Sequence, residues 1–177
     1  HKYLMHTFSF CVNEQFYNVN PKKLMPHVKN TIERGKKVMA SDYAKALAQL
    51  SEYRFKMDKI FSKFDYIASP TVAIPPHKCN ERPNIIDGKI DISAIDDHEM
   101  FNENNYDYSS WIFVLAQFTA PFNWSGNPAV SLPCGFTKSG LPIGLQLAGK
   151  KRGELSLFQA SKAFEEIKPW HQNRPNI

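Results

Sequence analysis

Mostly apolar side chains recur every three or four residues between Ser41 and Phe64, and this spacing is the clearest helical pattern in the chain. The recurring positions are Tyr43, Leu47, Leu50, Arg54, Met57, Phe61 and Phe64. Ser41 is a favourable N-cap residue, and Asp42 in the first turn suits the helix dipole. The pattern predicts one long helix over residues 41–64 with a single core-facing stripe.

Other stretches carry weaker helical patterns. The aromatic-rich segment over residues 1–19 is compatible with a buried helix or with an extended segment, and the sequence leaves both open. Pro26 suits the first turn of a short helix that Gly35 would end. The remaining predicted helices cover residues 109–118, with Ser109 or Ser110 as cap, and the closing segment 153–167.

Short apolar runs bounded by Pro and Gly predict strands. Residues 64–71 favour a short buried strand that Pro70 limits, because proline cannot donate to a central ladder. Residues 119–149 have the densest Pro and Gly punctuation in the chain. That spacing predicts a loop, a buried strand, a turn at Lys138-Ser139-Gly140 and a second buried strand. A helix followed directly by a buried strand favours an α/β fold.

The second of these strands has two different faces. Its odd-numbered positions are aliphatic, whereas its even-numbered positions are small or polar, and the two sets are Ile143, Leu145 and Leu147 against Gly144, Gln146 and Ala148. The small face allows another part of the chain to pack closely. Gln146 then needs buried hydrogen-bond partners, so we interpret it as a structural residue. Ser131, in the first strand, is also predicted to be buried and structural.

A long insert over residues 75–108 separates these regions. Residues 85–92 favour a small hairpin around the Asp87-Gly88 turn. Possible metal ligands are present as His77, Cys79, Asp96, Asp97, His98 and Glu99. Their spacing fits no two-plus-two ligand pattern, so we expect a solvated loop without a metal.

Composition and charge narrow the class of protein. The chain has 177 residues, 42% of them hydrophobic and 22% charged, which is typical of one globular domain. The net charge of +5 is interpreted as solvated helix surface rather than a nucleic-acid-binding face, because no aromatic residues are interleaved with the basic ones. We expect no membrane span, since no run of 18 apolar residues occurs.

Two further features concern where the protein works. Three widely spaced cysteines, Cys11, Cys79 and Cys134, favour a reducing compartment, so we expect a cytoplasmic protein. The first residue is His1, and no secretory signal follows it. We therefore expect the chain to begin inside a longer polypeptide.

The segment 119–149 resembles the C-terminal hallmark of the amidase signature family. The matching residues are Thr119, Pro121 and Asn123, then Gly126-Asn127-Pro128-Ala129-Val130-Ser131-Leu132-Pro133-Cys134-Gly135, and then Gly140-Leu141-Pro142-Ile143-Gly144-Leu145-Gln146-Leu147. The match is ordered and free of gaps. Ser41-Asp42-Tyr43 and the run from Phe64 to Thr71 are also typical of the family.

The resemblance implies an α/β fold, the C-terminal portion of an α/β/α sandwich around a mixed β-sheet. It implies hydrolysis of carboxylic amides to an acid and ammonia or an amine, by a Ser nucleophile, a second Ser joined by a cis peptide, and a Lys base. This chain contains no segment that matches those catalytic residues. We therefore expect residues 1–177 to form the C-terminal part of one amidase domain, with the catalytic residues in an absent N-terminal half.

The resemblance also implies candidate substrate-binding residues. The loop before the Gly-x-Pro-Ala run lines the acyl pocket in family members, and its positions here are Thr119, Phe122, Asn123 and Trp124. Trp124 stands where a smaller aliphatic residue is common, which would narrow the pocket or favour an apolar acyl group; a core-filling role is an equal alternative. Ala116 stands where subunits that transfer ammonia to misacylated tRNA usually have Asp, which favours a general amide hydrolase.

Two hypotheses of different class follow. In the first, the chain is part of an amidase and is inactive alone. Its partners are its N-terminal half, on the same polypeptide or as a separate chain, and a small-molecule amide; no cofactor or metal is expected, and a homodimer is possible. In the second, it is a non-catalytic binding or scaffold protein derived from an amidase half. Good folding as an isolated monomer would favour the second hypothesis, because half a sheet exposes edges and apolar faces.

Overall fold

The computed structural model describes residues 2–78, 81–86, 89–94, 114–170 and 173. The chain divides into two compact units, one comprising His1–Glu52 and Ala94–Tyr108, the other Tyr53–Ser93 and Ser109–Ile177. The helices are α1 (Lys2–Val19), α2 (Pro26–Lys36), α3 (Ala40–Phe61), α4 (Ala120–Ser125) and α5 (Glu154–Ile167). The strands are β1 (Tyr66–Pro70), β2 (Glu81–Ile86), β3 (Lys89–Ala94), β4 (Ala129–Phe136) and β5 (Pro142–Gly149).

In the first unit, the N-terminal segment, for which the sequence left helix and extended chain open, forms helix α1. This helix packs against α2. Gly35 was predicted to end α2, but it lies inside the last turn of that helix. A Cβ atom at Gly35 would lie 2.2 Å from the carbonyl oxygen of His6. The glycine therefore allows the two helices to approach closely. Nearby, the Tyr17 hydroxyl donates to the Glu33 carboxylate, and the Lys36 ammonium lies 4.1 Å from the Tyr17 ring centre.

The long helix α3 is confirmed, with shifted ends. It begins at Ala40, so Ser41 lies in its first turn and is not the N-cap that was predicted. Met57 and Phe61 of the predicted stripe are buried. Tyr43, Leu47 and Phe64 of the same stripe are exposed, so the buried part of the stripe is limited to Met57 and Phe61.

The second unit contains a three-stranded sheet in the order β1-β5-β4, with both pairings antiparallel. The turn between β4 and β5 holds Gly140 at φ +80°, a backbone conformation that favours glycine. The predicted strand–turn–strand unit is therefore confirmed. β2 and β3 form a separate two-stranded sheet where the hairpin was predicted, and the Asp87-Gly88 turn lies outside the described residues. β1 is half-buried rather than buried, because it is an edge strand of the described sheet.

Helices lie on both faces of this sheet. On one face, Met57 and Phe61 of α3 and Phe122 of α4 form a buried cluster with Ala148 of β5. On the other face lies α5: a Cβ atom at Gly149 would be 3.7 Å from Leu157, and the Tyr66 hydroxyl donates to the Ser156 carbonyl oxygen at 3.0 Å. The order helix, sheet, helix agrees with the predicted three-layer arrangement.

Candidate active-site segment

The four candidate substrate-binding residues lie in and just before α4, where the sequence predicted a loop. Thr119 directly precedes the helix, and Gly126 ends it in the left-handed conformation at φ +78°. The Phe122 carbonyl oxygen accepts the amides of Gly126 and Asn127, at 2.9 and 3.2 Å, which closes the helix end. The local signal for this helix is Pro121 in its first turn followed by Gly126 at its end.

The helix places the four side chains in different environments. Phe122 is 6% exposed and belongs to the buried cluster with Met57 and Phe61. Asn123 is exposed, whereas Thr119 and Trp124 are half-buried. The Thr119 hydroxyl donates to the Ala116 carbonyl oxygen at 3.4 Å. Phe122 therefore anchors the segment to the core, and Asn123 is accessible from outside.

Helix α3 donates two hydrogen bonds to the backbone of this segment. The Tyr53 hydroxyl donates to the Pro121 carbonyl oxygen at 3.2 Å, and Arg54 Nε donates to the Trp124 carbonyl oxygen at 3.0 Å. Burial raises the pKa of Tyr53 above its ordinary value of 10.0, because the environment disfavours the phenolate. The hydroxyl therefore stays protonated as a donor near neutral pH.

Gln146 connects the chain just before α4 to the sheet. Its side chain is 3% exposed, and Nε2 donates to the Phe118 carbonyl oxygen at 2.8 Å and to Ser69 Oγ at 3.0 Å. Gln146 was predicted to be hydrogen-bonded to buried partners; it is hydrogen-bonded, but both partner residues are half-buried. The segment is thus fixed from two sides, by Gln146 at its start and by α3 along its length.

A pair of hydroxyls lies on the same face of the sheet as Gln146. Ser131 is exposed, so the prediction that it is buried is wrong; its Oγ lies 2.6 Å from Thr71 Oγ1. A Cβ atom at Gly144 would lie 2.7 Å from the Thr71 oxygen and 2.9 Å from the Ser131 oxygen, so only glycine leaves room for the pair. A nucleophilic serine needs a base beside it, and the partner of Ser131 is another neutral hydroxyl.

Several other residues that the sequence analysis considered for catalysis or metal binding are not described by the structure. Cys79, the group from Asp96 to Glu99, and the Ser109-Ser110 pair lie outside the described residues. Across the described ranges, no group of three or more His, Cys, Asp or Glu residues is placed to hold a metal ion. In the same ranges, no helix has both the length and the apolar character needed to cross a bilayer.

Three residues that matter for this segment were not singled out for it from the sequence. Tyr53 and Arg54 lie on the predicted helix, and Arg54 interrupts an otherwise apolar stripe, which is the one signal that it has a specific partner. Thr71 follows a predicted strand, but its pairing with Ser131 across 60 residues depends on the strand register. These contacts are long-range, so residue spacing alone does not reveal them.

A family model described as Amidase matches residues 7–158. One of the subunits of the glutamyl-tRNA(Gln) amidotransferase from Thermodesulfovibrio yellowstonii is 35% identical over 75% of this chain and 23% of its own length. The corresponding subunit from Moorella thermoacetica is 31% identical over 93% of this chain and 30% of its own length. The chain therefore spans less than a third of the length of these curated relatives.

Solved structures share the fold. A 6-aminohexanoate cyclic dimer hydrolase superposes with a TM-score of 0.73 and 21% identity, over 99% of this chain and 36% of that one. A bacterial aryl acylamidase of the amidase signature enzymes superposes with a TM-score of 0.68 and 23% identity, over 96% of this chain and 34% of that one. The predicted α/β fold of the amidase signature enzymes is thereby confirmed.

Proposed function

Because the chain belongs to the amidase family, we propose that it is the C-terminal part of an amidase domain that hydrolyses carboxylic amides. In this proposal the Ser nucleophile, the cis-bonded Ser and the Lys base lie in an N-terminal part that is the chain's partner. The observation that carries the proposal is the ordered run over residues 126–147, which folds as β4, a tight turn and β5. The length of the relatives supports it, since the chain matches 23% and 30% of two of them.

The edges of the sheet support a larger domain. β1 and β4 each pair with β5 alone in the described sheet, so each presents an open edge. Open edges with unpaired backbone groups favour addition of further strands. We propose that residues 1–177 form one domain with that N-terminal part, which adds strands at these edges, and that residues 75–108 are an insert in it.

The α4 segment, residues 119–126, is the part of the chain that we propose contacts the substrate. Asn123 is exposed and Trp124 is half-buried, so both are available to line an acyl pocket. Thr119 fixes the entry to the helix through its bond to Ala116, and Phe122 anchors the helix in the core. In this arrangement Trp124 narrows the pocket and sets the preferred size of the acyl group.

A second candidate function is ammonia release from glutamine, as part of an amidotransferase. It is favoured by the 31% to 35% identity to the amidotransferase subunits. It is disfavoured by Ala116, which places a methyl group where those subunits usually have a carboxylate. We therefore propose a general amide hydrolase as the first candidate.

The experiment uses this chain together with the part of its polypeptide that precedes it. Hydrolysis of 4-nitroanilides with acyl groups from acetyl to octanoyl is compared with ammonia release from glutamine. We expect turnover of anilides and little release from glutamine, with Trp124→Leu shifting the preference toward longer acyl groups. Turnover of glutamine alone would favour the second candidate, and no turnover of any amide would overturn both.

The scaffold hypothesis makes a different prediction for the isolated chain. It predicts a well-folded monomer by sedimentation and a complete domain that turns over no amide. The amidase proposal predicts that the isolated chain self-associates through its open edges, and that the complete domain is active, as a monomer or a homodimer. Its proposed setting is the cytoplasm, in keeping with three cysteines at wide spacing, of which Cys11 and Cys134 are free thiols.

A further inference from the structure

We infer that Tyr53 and Arg54 are positioning residues, which hold the α4 segment in the place that substrate binding requires. This inference rests on the proposed role of α4 as a pocket wall. It concerns two residues of α3, a helix outside the segment proposed as the pocket wall. Their side chains donate to the backbone of α4, at the carbonyl oxygens of Pro121 and Trp124.

A six-residue helix needs support from outside itself. Helices shorter than about 12 residues are marginal in water, because nucleation costs more than a few backbone bonds return. The apolar support for α4 comes mainly from Phe122, which lies near the middle of the helix. One central anchor allows the two ends to rotate about it, so additional contacts are needed to fix the orientation.

The two hydrogen bonds from α3 supply those contacts on both sides of the anchor. Pro121 precedes Phe122, and Trp124 follows it by two residues. The Trp124 carbonyl is one of the last four of the helix, which have no partner within it. Arg54 Nε satisfies this carbonyl at 3.0 Å, and a charged donor makes a stronger hydrogen bond than a neutral one.

The same stretch of α3 also packs against the anchor. Tyr53 and Met57 lie one turn apart, and both contact the cluster that contains Phe122. The apolar contact and the two hydrogen bonds therefore have one rigid source. Loss of either hydrogen bond should loosen α4 without unfolding the sheet, and the side chains most affected should be Asn123 and Trp124.

The first measurement is hydrogen exchange by mass spectrometry on the complete domain, and it requires no substrate. In Arg54→Ala and in Tyr53→Phe, we expect exchange in a peptide spanning residues 119–128 to accelerate about fivefold, since one hydrogen bond is lost. A peptide spanning β5 should be unchanged. Arg54→Lys retains a cationic donor and should give a smaller acceleration. Lys63→Ala, which removes an exposed cation just beyond α3, is the matched control.

The second measurement is steady-state hydrolysis of 4-nitroacetanilide by the same variants. We expect KM to rise about three- to tenfold in Arg54→Ala, with kcat within about twofold, because the chemical groups are untouched. Arg54→Lys should recover most of the KM. If hydrogen exchange in the peptide spanning residues 119–128 were equally fast in Arg54→Ala and in Lys63→Ala, the inference would be overturned. Faster exchange with an unchanged KM would overturn the link to substrate binding, and no hydrolysis by the unsubstituted domain would instead contradict the proposed function.

Discussion

The two faces of β5 differ in a way that reverses the simple expectation from hydrophobicity. On the even-numbered face, Gln146 and Ala148 are 3% and 0% exposed. On the odd-numbered face, Ile143 is 40% exposed, and Leu145 and Leu147 are half-buried. The small and polar face is therefore the deeper one, and the aliphatic face is the more open.

The cause is what packs on each face. Large side chains from α3 and α4 cover the even-numbered face, so small residues on the strand leave room for Met57, Phe61 and Phe122. A buried amide is tolerated there because Gln146 has two acceptors within 3.0 Å. On the odd-numbered face α5 covers only part of the strand. Burial thus follows the opposing element rather than the strand's own hydrophobicity.

The largest expected effect comes from removing the cover of the even-numbered face. Phe122→Ala should lower the free energy of unfolding by about 3–5 kcal/mol, because it leaves a cavity beside Ala148. Urea unfolding measures the loss. Phe158→Ala is the control, since Phe158 is 64% exposed on α5 and should cost about 0.5 kcal/mol or less. Equal losses in the two variants would mean that Phe122 is not a core anchor.

A smaller effect is expected from the buried amide itself. Gln146→Leu should lower stability by about 2 kcal/mol, because the carbonyl oxygen of half-buried Phe118 loses its donor. Gln159→Leu, at an exposed position of α5, provides the comparison. Should Gln146→Leu be neutral or stabilising, the amide would not be needed to hold residue 118 against the sheet.

Gly144 offers a test of the hydroxyl pair formed by Thr71 and Ser131 on the even-numbered face of β5. Gly144→Ala should cost about 1 kcal/mol, because its Cβ would lie 2.7 Å from the Thr71 oxygen and displace it. Ser131→Ala opens space on one side, so the same glycine substitution should cost less in that background. Additive costs in the double variant would show that the pair does not set the space at Gly144.

The smallest effect concerns Tyr53, which packs against the cluster on the even-numbered face. Burial raises its pKa in the folded state above the unfolded value of 10.0, so its contribution to stability is complete below pH 10 and is lost as pH rises further. Tyr53→Phe should therefore show a shallower fall in stability as the pH rises above 10. Parallel curves for the two proteins would indicate that Tyr53 ionises equally easily in both states.

Local signals account for the parts of the fold that the sequence predicted well. The β4–β5 hairpin follows from proline and glycine punctuation, with Gly140 adopting the positive φ that its turn requires. The α3 helix follows from its periodic apolar positions. Both depend on residues that are close in sequence, so the pattern is readable without knowledge of the partners.

The parts that were predicted poorly depend on distant partners. Gly35 was expected to end α2, but it is explained by contact with His6 of α1, 29 positions earlier. The α4 helix was expected to be a loop, because six residues carry little periodicity and its support comes from Tyr53 and Arg54. For the candidate site, the sequence analysis grouped Phe122 and Asn123 on one loop, but it did not reveal that Phe122 is buried whereas Asn123 is exposed.

The central claim, that this chain is the C-terminal part of an amidase, is tested most directly by measuring amide hydrolysis for its two parts separately and together. Release of 4-nitroaniline from 4-nitroacetanilide is measured for the chain alone, for the preceding part alone, and for the complete domain. We predict hydrolysis by the complete domain and none by either part. Hydrolysis by the 177-residue chain alone would contradict the claim, because the nucleophile and base would then lie among these residues.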